Sequence, residues 1–391
     1  MKIVHTSDWH LGKKLKNRER ITEQREVLNS LVNYVENNNV DLVIIAGDVY
    51  DTYSPPAEAE ELFFNIIKQL SNGKRAVLVI SGNHDDSDRL YASSVLAESY
   101  GVYFAGAKLY KPQNLERIKL IENNENTFVF EDLLGERVFF NALSYPTEAR
   151  LKEKVNDDEV YDDKIIRWLN NGAKFNVNNY PEIVISHLFM LGGETSSTER
   201  SIDLGGARRV GKSVISNNVI YTALGHLHKK QVVSKDKNIR YSGSILEYAF
   251  DEAGINKTFT CFDVLNGKVC NLVDVSFVGG TKLKTVEVSG YENCFDVLNN
   301  FKDYYIELIL HTDRPLTTEE SRLLQSTYPN LVIIEIVTKE DEIDILAKDR
   351  RKMSDEELFI AHYRNMYGVE PENDVLELFL QLINEGELWN H

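Results

Sequence analysis

The sequence predicts a mixed α/β (α+β) protein: a two-sheet sandwich flanked by helices, then a small α/β unit and a terminal helical segment. Three observations carry this. Two strand–helix repeats near the start require a parallel sheet, because parallel neighbours need a crossover between them. From about residue 117 the apolar runs shorten and follow one another closely, the texture of further sheet. Five of the apolar runs also end in polar clusters of matching chemistry.

KIVHTS reads as the first strand. The next segment, ITEQREVLNSLVNYVENN, has helical spacing at Ile21, Val27, Leu28, Leu31 and Val35. DLVIIAGD follows as a buried strand, and PPAEAEELFFNIIKQL as a helix opened by Pro55 and Pro56, leading to the strand AVLVISGNHD. RIKLI, TFVFE and RVFFNAL are short strands, followed by a polar, acidic helix near 156–170. EIVISH, VIYTALGHLH, KTFTCFDVL and KVCNLVDVSFV complete a first domain over residues 1–279, bounded by Gly279-Gly280. Residues 280–340 read as a βαβαβ unit: KTVEVS, a helix near 291–301, YYIELIL, a helix over 317–327, and LVIIEIV. Residues 341–391 hold two amphipathic helices, 354–367 with a Ser354/Glu357 capping box and 373–385 with the stripe Val375, Leu376, Leu378, Phe379, Leu382 and Ile383. Such a stripe suits a partner helix or the chain's own domain.

Composition narrows the class. With 391 residues, 42% hydrophobic and 27% charged, the chain reads as a soluble globular protein of two or three domains. It has no apolar run of about eighteen residues and no basic-then-apolar leader, so a cytoplasmic protein without a membrane partner is expected. Cys261, Cys270 and Cys294 lack CxxC spacing and are odd in number, so neither a zinc knuckle nor a disulfide framework is suggested. The balance of 44 basic against 61 acidic residues, net −17, argues against a surface coated with phosphate-neutralising charge. Any nucleic-acid contact must be local or come through a partner.

The chemistry lies at the strand ends. HTSDWH, AGDVYD, SGNHD, SHLF and GHLH each close an apolar run, and ligands in open α/β sheets bind beyond the carboxyl ends of strands. These clusters bring Asp8, His10, Asp48, Asn83, His84, His187, His226 and His228 into consideration. An alternating strand would point Asp8 and His10 to one side, with Trp9 turned into packing. Taken singly, a strand-end histidine is a hydrogen-bonded structural group, Asp48 a helix cap and Asn83 a turn residue. Chance does not explain five such ends in one chain. Histidine, aspartate and asparagine without thiolate suit manganese, iron or zinc, and eight donors suit two ions about 3.5–4 Å apart, an arrangement for phosphoester hydrolysis.

D-x-H, G-D-x-x-D, G-N-H-D, a lone His and G-H-x-H, in that order, resemble the calcineurin-like metallophosphoesterase superfamily. HTSDWHLG, AGDVYDTYSPP, SGNHDDSDRL, ALGHLHKKQ and RYSGSILEYAFDE resemble its DNA double-strand-break repair nucleases, strongly over about residues 1–275 and by layout beyond. The resemblance implies Asp8, His10, Asp48 and His228 on one metal, and Asp48, Asn83, His187 and His226 on the other, with Mn²⁺ the expected ion. It implies that His84 protonates the leaving 3′ oxygen or stabilises the phosphorane, that Asp85 orients the His84 ring, and that the reaction is in-line cleavage of DNA by exo- and endonuclease action. Asp51 stands where archaeal and eukaryotic members carry a second catalytic histidine, and that role is not transferred to it. The partners implied are an SbcC-type coiled-coil ATPase, DNA ends and hairpins, and a second copy within a heterotetramer associated with the nucleoid. Residues 280–340 would then be a capping domain and 341–391 a partner-binding segment.

Lys13, Lys14, Lys16, Arg18 and Arg20, then Arg89, then Arg208, Arg209 and Lys212, then Lys229 and Lys230 follow the polar clusters and are the candidate DNA contacts. Two other readings remain: a phosphomonoesterase or cyclic-nucleotide phosphodiesterase that ignores DNA, and a scaffold with an inert site. The latter is disfavoured because no ligand position is missing.

Overall fold

The computed structural model describes residues 1–147, 150–151, 159–197 and 209–338, with isolated positions at 359–360, 363 and 375–376. By their contacts the residues divide into two units: Met1–Lys284 with Asp303–Tyr305, and Thr285–Lys302 with the described residues from Ile306 onward.

The first unit opens with β1 (Lys2–Thr6), α1 (Ile21–Asn37), β2 (Leu42–Ala46), α2 (Ala57–Ser71) and β3 (Ala76–Ile80), then α3 (Ser87–Ala92), α4 (Ser94–Glu98) and β4 (Val102–Phe104). β1 to β4 pair in parallel, each neighbour reached by a crossover. The next strands are β5 (Gln113–Asn114), β6 (Ile118–Asn123), β7 (Thr127–Asp132) and β8 (Arg137–Leu143). After α5 (Tyr161–Ala173) come β9 (Glu182–His187), β10 (Val219–Gly225), β11 (Gln231–Ser234) and β12 (Ile239–Tyr241). β5 to β12 build a second sheet in the order β11-β12-β10-β9-β8-β7-β6-β5. Finally β13 (Thr258–Leu265) and β14 (Lys268–Ser276) return to the first sheet, where β13 pairs antiparallel with β1. The sheet order β14-β13-β1-β2-β3-β4 therefore places β1 in the interior.

β2 shows why the strands are apolar throughout. Leu42, Ile44 and Ala46 join Phe128, Phe140 and Ile185 in the core between the sheets. Val43 and Ile45 point the other way, into the layer of Leu31 from α1 and Phe63 from α2. A strand covered on both faces has no position for a polar side chain. On the outer face of the second sheet, Ile165 and Trp168 of α5 cover Val184, Leu224 and Tyr241. The two-sheet sandwich with outer helices is the architecture expected. The acidic helix begins at Tyr161, later than the 156–170 expected from sequence, after Val160 in extended conformation.

In the second unit, β15 (Lys282–Ser289), α6 (Asn293–Leu298), β16 (Tyr304–Thr312), α7 (Thr318–Thr327) and β17 (Leu331–Thr338) form a three-stranded sheet in the order β15-β16-β17, with β16 and β17 parallel. Thr317 and Glu320 make a reciprocal capping box at the start of α7. Val286, Val288, Leu298, Leu308, Leu310 and Leu324 give this unit its own core. The helices expected at 354–367 and 373–385 lie outside the described residues, apart from the isolated helical positions.

Candidate metal centre

Five strand ends of the first unit meet at one point. Asp8 and His10 follow β1, Asp48 follows β2, Asn83 and His84 follow β3, His187 ends β9, and His226 and His228 follow β10. All eight are buried. The strand alternation expected to align Asp8 with His10 is replaced by a left-handed loop. β1 stops at Thr6, and Asp8 and His10 have φ of 53° and 44°. This backbone is held by Asp8 N–H donating to the Gly47 carbonyl and His10 N–H to the Asp48 carbonyl, both at 3.0 Å. Asp48 and His226 also have positive φ, so four ligand candidates occupy a region that costs on the order of 1–3 kcal/mol per residue. Trp9 turns into the core as expected, its Nε1 donating to Thr6 Oγ1 and its ring edge-on to Phe63.

The donors converge tightly. Ligand atoms of Asp8, His10 and His228 lie within 4.8 Å of one another, as do those of His10, Asp48 and His84 and those of Asp8, Asp48 and His187. His10 Nε2 and His228 Nε2 face each other at 3.0 Å. Asn83 Oδ1 lies 3.0 Å from both His187 Nε2 and His226 Nδ1. Asp48 Oδ2 is 3.5 Å from His10 Nε2 and 3.3 Å from His187 Nε2, between the two groups. Imidazole nitrogens, carboxylates and an amide oxygen pointed inward, without sulfur, fit borderline or hard divalent cations. The glycines belong to the same design: a Cβ on Gly82 would collide with Asp48, and one on Gly225 with the Ala46 carbonyl and the His187 ring. The motif glycines let ligand-bearing loops touch.

The electrostatics reflect burial against pairing. Burial raises the Asp8 carboxyl to about 6 and lowers His10 and His226 to about 3. Burial alone would raise Asp48, but His187 and His84 hold it well below the usual range. His187, which burial alone would lower, is lifted to about 9 by Asp48.

A surrounding layer orients the donors. His187 Nδ1 faces the Ala46 carbonyl at 2.9 Å, and His228 Nδ1 faces Glu252 Oε1 at 3.2 Å. Glu252 is fully buried and also accepts from Lys257 Nζ at 2.6 Å and Ser196 Oγ at 2.9 Å. Ser242 Oγ lies 2.8 Å from Ser7 Oγ, which donates to Asp8 Oδ2 at 2.5 Å. Tyr248 donates its hydroxyl to the Trp9 carbonyl and accepts from Gln24 Nε2. Arg150 donates to the carbonyls of Gly82 and Asp85 at 2.7 and 2.8 Å, clamping the turn that carries Asn83 and His84. Sequence reasoning missed these supports. The run RYSGSILEYAFDE contained Ser242, Tyr248 and Glu252, but only the fold shows that it lies behind the ligands.

Asp85 does not orient His84. Its carboxylate accepts from the backbone N–H of Val49, Tyr50 and Gly82 at 2.8–3.1 Å, which ties the β2 and β3 loops together. The His84 ring is held instead by its Nδ1 at 2.7 Å from the Asp51 carbonyl. Among the basic candidates, Arg20 is buried in the fold, donating to Glu23 and to the Glu247 and Thr281 carbonyls, so it is no surface contact. Lys13 pairs with Asp51, Lys14 with Glu19, Arg89 with Glu60 and Lys230 with Asp274. Arg18 lies over the Tyr305 ring and Arg209 over Phe189. Lys16 and Lys212 are exposed and Lys229 half-buried, while Arg208 lies outside the described residues.

Fold and donor set together define a calcineurin-like phosphoesterase, and the model of that family matches residues 1–230. The chain is 33% identical to SbcD of the nuclease SbcCD from Bacillus subtilis (strain 168), over 99% of both chains. It is 29% identical to SbcD of the nuclease SbcCD from Staphylococcus epidermidis, over 99% of this chain and all of that one. The chain belongs to the SbcD family of calcineurin-like phosphoesterases.

Proposed function

We propose that the protein is a two-metal DNA nuclease that acts with an SbcC-type ATPase on DNA ends and hairpins, as an exonuclease and endonuclease. The observation that carries this is the full-length likeness to two proteins described as SbcD of the nuclease SbcCD, on a chain whose ligand donors all converge. One ion would be held by Asp8, His10, Asp48 and His228, the other by Asp48, Asn83, His187 and His226, with manganese the proposed native ion. Two such ions supply Lewis-acid charge at the phosphate and a nucleophile at neutral pH. The protein's own part falls to His84. Its Nδ1 faces a carbonyl, which can only accept, so Nδ1 carries hydrogen and Nε2 is the atom that takes up or gives the proton at the 3′ oxygen. Residues 280–340 are proposed as the cap that selects DNA ends, and 341–391 as the segment that binds the ATPase.

The test is one assay of the purified chain with Mn²⁺ on linear duplex DNA beside a chromogenic phosphomonoester. DNA cleavage is expected, and His84→Gln is expected to reduce it by about 100-fold or more with bound metal unchanged. Turnover of the monoester alone would select the phosphomonoesterase reading.

A further inference from the structure

Position 51 meets two histidines of the site by different atoms. Its carbonyl takes His84 Nδ1 at 2.7 Å. Its carboxylate Oδ1 pairs with Lys13 Nζ at 2.7 Å, and the same oxygen lies 3.3 Å from His10 Nδ1. That buried nitrogen makes no hydrogen bond. His10 differs in this from His187 and His228, whose second nitrogens face the Ala46 carbonyl and the Glu252 carboxylate. A ligand imidazole whose distal N–H is taken by a carboxylate is fixed in orientation and becomes more basic. Asp51 is placed to do this for His10, but its Oδ1 lies closer to Lys13, at 2.7 Å, than to His10, at 3.3 Å.

We infer that Asp51 is a positioning residue for His10 and that Lys13 competes with His10 for it. When a substrate phosphate draws Lys13 away, Asp51 Oδ1 turns to His10 Nδ1 and the metal site tightens around its substrate. Lys13 suits the exchange. Its backbone is anchored beside the site, Lys13 N–H donating to the His10 carbonyl, and its side chain is 15% exposed and flexible. A phosphate offers Lys13 a charge-assisted hydrogen-bond partner of the same kind as the Asp51 carboxylate. The inference rests on the metallophosphoesterase reading of the site and assigns Asp51 a task by its own contacts.

The test is a double-mutant cycle on Mn²⁺ affinity of the full chain without DNA, read from the electron paramagnetic resonance signal of free Mn²⁺. Lys13→Met is expected to tighten binding by about threefold or more when Asp51 is present, and to lose most of that gain in the Asp51→Ala background. Lys13→Gln repeats the measurement should Lys13→Met fail to fold. Removing a positive charge near a cation would by itself tighten binding in both backgrounds, and more strongly where Asp51 no longer neutralises it. A gain in Asp51→Ala equal to or larger than that in the parent, or no gain at all, overturns the inference. An unsubstituted chain that binds no Mn²⁺ overturns the site reading and the inference with it, a result distinct from binding without a Lys13 effect.

Discussion

His5 lies three residues before Asp8 and is fully buried, with Nδ1 3.0 Å from the Tyr221 hydroxyl and Nε2 3.1 Å from the Leu224 carbonyl. Burial pushes its pKa down from 6.5 to about 3. The unfolded chain therefore takes up a proton below pH 6.5 that the folded chain refuses until about pH 3. Stability from this residue is complete above pH 6.5 and is lost as pH falls toward 3. Between pH 6.5 and 5 the loss amounts to about 2 kcal/mol, at roughly 1.4 kcal/mol per pH unit. Urea unfolding of the metal-free protein at pH 7.5 and 5.0 should show His5→Asn losing less stability than the parent by about that amount. Equal losses would mean that His5 is not held neutral by the fold.

At the level of elements, α2 is fastened to the site through Phe63. This side chain is fully buried and meets Trp9, Tyr50 and Phe104 edge-on, with Trp9 standing between Asp8 and His10. Phe63→Ala is expected to destabilise the protein by about 3–5 kcal/mol in denaturant unfolding, since the packed ring cluster cannot collapse fully into the space left. A loss under about 1 kcal/mol would show that the cluster repacks. The helices and strands themselves were largely legible. α1 and β2 follow from their apolar spacing, because their pattern reflects the layers that cover them. The left-handed turn at Asp8 and His10 was not legible, because nothing within HTSDWH states that its N–H groups will meet the carbonyls of Gly47 and Asp48.

For the molecule as a whole, a net charge of −17 opposes DNA, and several candidate cations are already paired with carboxylates. The isolated chain should therefore bind duplex DNA weakly. With about three phosphates neutralised, the logarithm of its binding constant should fall with that of salt at a slope of about −3. Fluorescence anisotropy at several salt concentrations measures this. A slope near zero would remove the basic residues from the DNA interface, and one near −10 would require an electrostatic surface that the described residues do not carry.

By itself the sequence determined the candidate donors: Asp8, His10, Asp48, Asn83, His187, His226 and His228, with His84 beside them, all occur in short motifs at the ends of apolar runs. Metal donors must be of particular types at particular spacings, and a parallel sheet collects its strand ends on one edge, so local sequence and topology together bring them to one place. Only the tertiary structure decided what holds those donors. Glu252 behind His228, Arg150 clamping the Asn83 turn and Asp85 tying two loops by backbone N–H groups act across large sequence distances, through buried hydrogen bonds that leave no periodic trace. The same holds for Asp51. Its type alone named no task, and its work follows from lying within reach of His10, Lys13 and His84 at once.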